Sequence, residues 1–218
     1  MRKQRVKEGP REYWTNIHTA QPDYGADLEG SLFPPDYQFP SWNIQNLQDL
    51  LQTHLWPEKT IAGVNTPYLY FGMARATFPW HSEDMDLNSI NYIHFGAPKQ
   101  WYSIPQEDRK AFEALCADLF PEAAKFCPEY LRHKICMIRP EVLQQGGIRV
   151  TRMIQREGEF ILTFPGGYHS GYNLDWNCAE SLNYAYPEWL NGLGLEARWC
   201  RCQPDVQAVG TGMARDRE

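Results

Sequence analysis

The sequence predicts a mainly β fold, a barrel or jelly roll decorated by helices. Two observations predict it. Short apolar runs recur along the 218 residues and are cut by Pro and Gly throughout, as in "FPPDYQFPSW", "GAPKQW" and "FPGGYHSG". With 16 Gly, 16 Pro and 14% aromatic residues, this is the punctuation of short strands and tight turns. Helical periodicity, in contrast, is confined to a few segments set around an all-β middle.

The elements follow in chain order. Residues 43–55 ("NIQNLQDLLQTHL") place Ile44, Leu47, Leu50, Leu51 and Leu55 near one helical face, so one helix is expected there. "PYLYFGMA", "SINYIHFG" and "KQWYSIP" read as strands. Residues 106–120 read as a second helix with Phe112, Leu115, Cys116 and Leu119 inward. "KICMIR" reads as a strand, 139–145 as a short helix, "GEFILTFP" and "ESLNYAY" as strands, and 187–197 as a last helix. The chain divides into an N-terminal extension (1–20), one domain (21–203) and a flexible tail (204–218). No repeat or low-complexity block appears.

A chain of this length builds one sizeable core. The formal charge of -6 argues against binding nucleic acid through the whole surface. It suits a basic peptide as partner. No apolar run reaches membrane-span length, and the basic start "MRKQRVKEGPREYW" has no apolar stretch behind it, so it is no secretory signal. A cytosolic or nuclear compartment keeps thiols reduced, which makes the six Cys core residues or metal ligands. The run from Arg2 to Lys7 is either a nuclear signal or a solvated tail.

The chemistry centres on His81-Ser82-Glu83. On a strand, residues i and i+2 share a face, so an imidazole and a carboxylate project together. Burying that carboxylate alone is costly, and a divalent metal removes the cost. Two His and one carboxylate form the facial triad that leaves open positions on iron(II). The second histidine is sought among His18, His54, His94, His133 and His169. His169 stands out because it follows the strand "GEFILTFP" and the Gly166-Gly167 turn. The H-x-E spacing is a weak signal alone and gains weight with this late, glycine-flanked histidine. Strand parity adds Asn91, Lys99 and Trp101 to the same interior, with Ser89, Ile93 and Phe95 on the Asn91 face. Lys99 is then either a turn lysine in water or an interior lysine that needs an anion.

"GVNTPYLYFGMA", "HSEDMDLNSINYIHFGAPKQWYSIP", "YLRHK", "GEFILTFPGGYHSGYN" and "NCAES" resemble the Jumonji C histone lysine demethylases, from about Tyr24 to Cys202. "EDMD" and the Cys/His pattern resemble the zinc-containing subfamily that acts on histone H3 at lysine 9 and lysine 36. The resemblance implies a double-stranded β-helix of jelly-roll, cupin-like type, holding iron(II) and 2-oxoglutarate. It assigns His81, Glu83 and His169 to iron. Tyr24, Asn91 and Lys99 go to the distal carboxylate of 2-oxoglutarate, with Phe78 and Trp101 as walls. Gly63, Tyr68, Tyr70, Glu83, Ser181 and Asn183 go to the methylated ammonium, and Lys134 to the dioxygen side. It further implies a structural zinc on Cys127, His133, Cys200 and Cys202, a spacing weak by itself. Cys116, Cys136 and Cys178 are left as packing residues.

The implied partner is the histone H3 tail with methylated lysine, in the nucleus, with no membrane and no sequence-specific nucleic acid. Few residues precede Tyr24, so the separate Jumonji N segment of the subfamily is expected to be missing. Leu182, beside Ser181, is expected to alter the preference between di- and trimethyl-lysine, and Gly166 to open the barrel mouth. A side-chain hydroxylase and a catalytically silent chromatin scaffold are the two other readings.

Overall fold

The structure, a computed structural model, describes residues 9–19, 22–55, 57–198, 200 and 202. Nine strands form two antiparallel sheets: β1 (Tyr24–Glu29), β2 (Tyr68–Gly72), β3 (Thr77–His81), β4 (Asn88–Gly96), β5 (Lys99–Ser103), β6 (Thr151–Gln155), β7 (Phe160–Thr163), β8 (His169–Asn173) and β9 (Asn177–Tyr184). One sheet runs β1-β2-β9-β4-β7 and the other β3-β8-β5-β6. They face each other: Lys99 Nζ of β5 donates to Tyr24 OH of β1 at 3.3 Å, and Asn183 Nδ2 of β9 donates to Glu83 Oε2 at 3.2 Å. The result is the jelly roll, as two facing sheets rather than a closed barrel. The helices α1 (Pro10–Asn16), α2 (Arg109–Leu119), α3 (Pro121–Phe126), α4 (Pro140–Gln145), α5 (Pro187–Leu190) and α6 (Leu193–Glu196) flank it.

Register fixes which side chains look inward. In the five-stranded sheet Tyr68 pairs with Ser181 and Ser181 with Asn91, while Ser89 pairs with Asn183. In the four-stranded sheet His81 pairs with His169, Gly171 with Trp101, and Lys99 with Asn173. Because the period of a strand is 2, the space between the sheets receives polar and ligating groups. The largest apolar cluster lies instead on the opposite parity of the second sheet. Trp80, Tyr102 and Tyr172 pack there with Tyr13, Trp14, Phe112 and Leu143. The core therefore backs the sheet that carries both histidines.

Several expected elements differ. Residues 43–55 are two short turns, a 3-10 turn Ile44–Asn46 and a wide π turn Leu51–Leu55. Asn43 caps the first by accepting from Gln45 N–H. Ile44 and Leu51 then enter different apolar clusters, which one straight helix would not allow. Leu119 is exposed at the end of α2, while Phe112 and Cys116 are buried. "KICMIR" is not a strand: it starts at Lys134 in the left-handed region (φ 54°) and gives single bonds to β3, with Trp80 N–H on Cys136 O and Trp80 Nε1–H on Ile138 O. The 187–197 helix is broken into α5 and α6 around Gly192. Phe95 is exposed because a bulge between Ile93 and Phe95 reverses the parity of β4.

Leu182 points away from Ser181 into a cluster with Phe33 and Ile44, so it does not reach the space between the sheets. Gly166 (φ 67°) serves the turn closed by Gly167 N–H on Phe164 O, a conformation suited to glycine. Within the N-terminal extension, α1 is packed, with Tyr13 and Trp14 buried. The basic run from Arg2 to Lys7 and the tail 204–218 lie outside the described residues. No helix among the described residues is long and apolar enough to cross a membrane.

Candidate functional site

His81 ends β3, and Glu83 follows in extended conformation (φ -62°, ψ 152°) just ahead of the turn Asp84–Asp86. The i, i+2 relation therefore holds past the strand end. Ser82 faces the other way and donates to Asp86 Oδ1 at 3.0 Å. His169 opens β8 directly opposite His81, with ring centroids 4.4 Å apart. The ligating atoms of His81, Glu83 and His169 all lie within 4.8 Å of one another.

The histidine tautomers are set by the backbone. His81 Nδ1–H donates to Pro79 O at 2.7 Å, and His169 Nδ1–H donates to Gly167 O at 3.1 Å. With Nδ1 engaged by the backbone, each ring turns its Nε2 inward, as metal-ligating histidines do. His169 Nε2 sits 3.3 Å from Glu83 Oε1. Two lone-pair carriers at that distance need a proton or a cation between them. Burial, helped by His169 and Lys134, pulls the His81 imidazole down to about 3. Burial would raise the Glu83 carboxyl, but the hydrogen bond from His169 and the charges of His169, His81 and Lys134 hold it well below the usual range. A neutral imidazole and an ionised carboxylate are the forms that bind a divalent metal, so the donor set fits one.

Beside this cluster a cavity of about 230 Å³ opens. Tyr24, Gly63, Tyr70, Phe78, Asn91, Lys99, Trp101, Lys134, Ser181 and Asn183 line it together with the three ligating residues, so the expected set is brought to one place. Tyr68 is the exception: its ring covers Gly63, where a Cβ would lie 2.3 Å from Tyr68 Cε2, and it does not line the cavity. Tyr70 OH donates to Asp27 Oδ1 at 3.0 Å.

Lys99 is 2% exposed and is not a turn lysine in water. Its Nζ donates to Asn173 Oδ1 at 2.7 Å and to Tyr24 OH at 3.3 Å, and no carboxylate among the described residues pairs with it. Burial, against a small upward pull from Cys178, lowers it to about 7. Asn91 Oδ1 nearby is buried without a hydrogen-bond partner. An uncompensated buried ammonium next to unused polar atoms fits an anionic ligand. Phe78 supplies a wall, its ring 5.5 Å from Lys99 Nζ and 4.7 Å from the Trp101 ring. The wall depends on Gly171: a Cβ there would lie 2.1 Å from Gln100 O and 2.4 Å from the Phe78 ring.

Sequence reasoning missed Asn173 and Asp86, which hold Lys99 and the Glu83 turn. Asn173 was accessible in principle, since His169, Gly171 and Asn173 share one parity. Nothing in the spacing of "EDMD" separates the role of Asp86 from that of Asp84.

A second cluster gathers Cys127 after α3, His133 at the end of the turn Tyr130–His133, and Cys200 and Cys202 after α6. Cys200 Sγ lies 3.6 Å from Cys127 Sγ, 3.0 Å from His133 Nε2 and 2.8 Å from Cys202 Sγ. The three cysteines are free of disulfides. Burial would raise the Cys200 thiol, but hydrogen bonds from Cys202, His133 and Cys127 bring it down to about 6. Four converging S and N donors fit a closed tetrahedral metal site. Cys116, Cys136 and Cys178 are buried away from it, and burial raises each thiol to about 11 or 12, which suits packing rather than reactivity.

Fold and site together define a jelly-roll protein with a two-histidine, one-carboxylate centre beside an anion pocket. The profile of the JmjC domain, hydroxylase, matches residues 68–184, more than half of the chain, and the chain belongs to that family. It is similar to lysine-specific demethylase 4B of Mus musculus (48% identical over 200 residues, 91% of this chain and 18% of that protein). It is also similar to lysine-specific demethylase 4D of Rattus norvegicus (49% over 195 residues, 88% and 37%). The probable lysine-specific demethylase 4F of Homo sapiens is a third (48% over 195 residues, 88% and 30%). The chain thus spans well under half the length of these curated relatives.

Proposed function

We propose that the chain is an iron(II)- and 2-oxoglutarate-dependent dioxygenase that demethylates methylated lysine of histone H3, at lysine 9 and/or lysine 36. Its products are formaldehyde, succinate and carbon dioxide. One observation carries the reading: two inward-turned Nε2 atoms and the Glu83 carboxylate converge beside a buried lysine that lacks a counter-anion. The similarity to lysine-specific demethylases supports the substrate class.

In this reading His81, Glu83 and His169 hold iron(II), which when bound supplies dioxygen activation and oxidation of a methyl C–H bond. Tyr24, Asn91 and Lys99 bind the distal carboxylate of 2-oxoglutarate, and Phe78 and Trp101 exclude water from its carbon chain. Gly63, Tyr70, Ser181, Asn183 and Glu83 orient the methylated ammonium, and Tyr68 acts from outside the cavity by covering Gly63. A trimethyl-ammonium has no N–H to give, so oxygen lone pairs and ring faces suit it. Lys134, exposed at the cavity rim, is the positive charge on the dioxygen side. Holding these groups in register is the protein's share of catalysis. Cys127, His133, Cys200 and Cys202 hold a structural zinc. The nucleus is the place of action, the histone H3 tail the partner, and no sequence-specific nucleic acid contact is involved. The units 21–203 and 204–218 serve as catalytic domain and tail.

The family description, a hydroxylase, favours one second reading, a side-chain hydroxylase on the same centre. Histone H3 peptides trimethylated at lysine 9 or lysine 36 separate the two by mass spectrometry. They are incubated with the protein, iron(II), 2-oxoglutarate and ascorbate, beside His81→Ala. Stepwise loss of methyl mass with wild type alone is expected. Succinate without methyl loss would transfer the proposal to the hydroxylase. Neither product, from folded and iron-loaded protein, would remove both and leave the scaffold.

A further inference from the structure

The turn behind Glu83 is built in a way that the ligand role alone does not require. Met85 (φ 56°, ψ 20°) and Asp86 (φ 51°) are consecutive left-handed residues without being glycine. Such a pair is strained and persists only where the surroundings over-determine it. They do so here. Asp86, 2% exposed, accepts from Ser82 Oγ at 3.0 Å and from Arg109 Nη1 at 3.0 Å, and pairs with Arg132 Nη2 at 3.4 Å. Met85 is buried, and its carbonyl accepts from Trp189 Nε1–H at 2.9 Å.

Two of these residues, Asp86 and Arg132, meet at one atom, the main-chain carbonyl of Glu83. It accepts from Asp86 N–H at 2.9 Å and from Arg132 Nη1 at 3.2 Å. Arg132 thus binds the carbonyl of the ligating residue with one nitrogen and the Asp86 carboxylate with the other, a two-point fork that a lysine cannot copy. On the far side, the Glu83 carboxylate is met by Asn183 Nδ2. The residue is fixed at both ends.

We propose that Asp86 and Arg132 are positioning residues that fix Glu83 as a metal ligand, acting through its main-chain carbonyl and not by touching metal or substrate. The inference rests on the reading of His81, Glu83 and His169 as a metal centre. Its reach beyond that reading is a pair of buried charges outside the cavity that sets ligand affinity. Outer partners of metal ligands commonly change affinity by about 10- to 100-fold.

The test uses the whole chain with its Cys/His cluster loaded with zinc and titrates Mn(II), a hard ion suited to the His/carboxylate set. Free Mn(II) is read by electron paramagnetic resonance. Wild type is expected to bind one Mn(II), and His81→Ala to lose it; no binding by wild type would overturn the metal reading and this inference together. Asp86→Asn and Arg132→Lys are expected to weaken binding tenfold or more while their circular dichroism and zinc content stay those of wild type. Glu129→Gln removes the other partner of Arg132, 3.4 Å from its Nε, without touching Glu83. It is expected to bind as wild type does. Should Asp86→Asn fail to fold, Arg132→Lys against Glu129→Gln decides alone. Affinity within twofold of wild type in folded Arg132→Lys, or an equal loss in Glu129→Gln, would overturn the proposal, since the pair would then be merely structural.

Discussion

Lys99 shows how a single residue reports the state of the site. Its folded value near 7 lies below the 10.5 of an exposed lysine because burial disfavours the ammonium. Between pH 7 and 10.5 the unfolded chain therefore binds more protons than the folded one. The stability of the ligand-free protein should rise with pH across that window, and the cost of the buried ammonium is fully present below about pH 7. A dicarboxylate reverses the preference, since it needs the ammonium. Above pH 7 its binding must take up a proton, and its affinity should fall by up to about tenfold per pH unit. Lys99→Met removes both effects. The ligand-free variant should be at least as stable as wild type at pH 6, show no rise between pH 7 and 10, and lose 2-oxoglutarate binding. Thermal unfolding across pH, with calorimetric titration of 2-oxoglutarate, checks this. A Lys99→Met protein that is less stable at pH 6 would mean that the ammonium is already neutralised.

At the scale of elements, legibility followed periodicity. Strand parity placed Asn91, Lys99 and Trp101 in one interior, although the bulge after Ile93 turns Phe95 out, and Tyr70 and Ser181 came only with the resemblance. The facing of His81 and His169 could not be read that way, because it depends on the pairing of β3 with β8, far apart in the chain. "KICMIR" misled for the opposite reason. It has strand composition, but it starts at Lys134 in the left-handed region and meets β3 through two bonds from Trp80 instead of a ladder. The Cys/His cluster was legible only by resemblance, since the ligands come from α3, a 3-10 turn and the segment after α6. That dispersal has a consequence: a metal there ties Cys200 and Cys202 to the 127–133 segment and does little for the sheets. Metal analysis of iron-free wild type should find one zinc per chain. Cys200→Ser should abolish it and speed amide exchange after α6 and around 127–133, with the protection of β4 and β9 unchanged. Loss of protection in the sheets as well would show that the cluster supports the whole domain.

For the whole molecule, the arrangement inverts the usual sandwich. The space between the sheets holds polar and ligating groups, so most apolar burial must be found elsewhere, and it is found behind the histidine-bearing sheet. α1 closes that face. The Tyr13 ring stacks on Tyr172 at 3.5 Å, Tyr13 OH meets Thr77 Oγ1 at 2.8 Å, and Trp14 Nε1–H donates to Tyr102 OH at 3.3 Å. Arg139 Nη2 adds a bond to Trp14 O. Tyr102 and Tyr172 sit on β5 and β8, on the parity opposite Trp101 and His169, while Thr77 of β3 also borders the cavity. Stability and site geometry are thereby placed on opposite faces of one sheet. Trp14→Ala should cost about 3–5 kcal/mol, a large part of the roughly 5–15 kcal/mol available to such a domain. Below its lowered midpoint, the variant should still bind Mn(II) at the His81, Glu83 and His169 centre as wild type does. Urea unfolding gives the first number and metal titration the second. If Trp14→Ala weakens metal binding in proportion to its loss of stability, the two faces are not independent, and α1 belongs to the site as much as to the core.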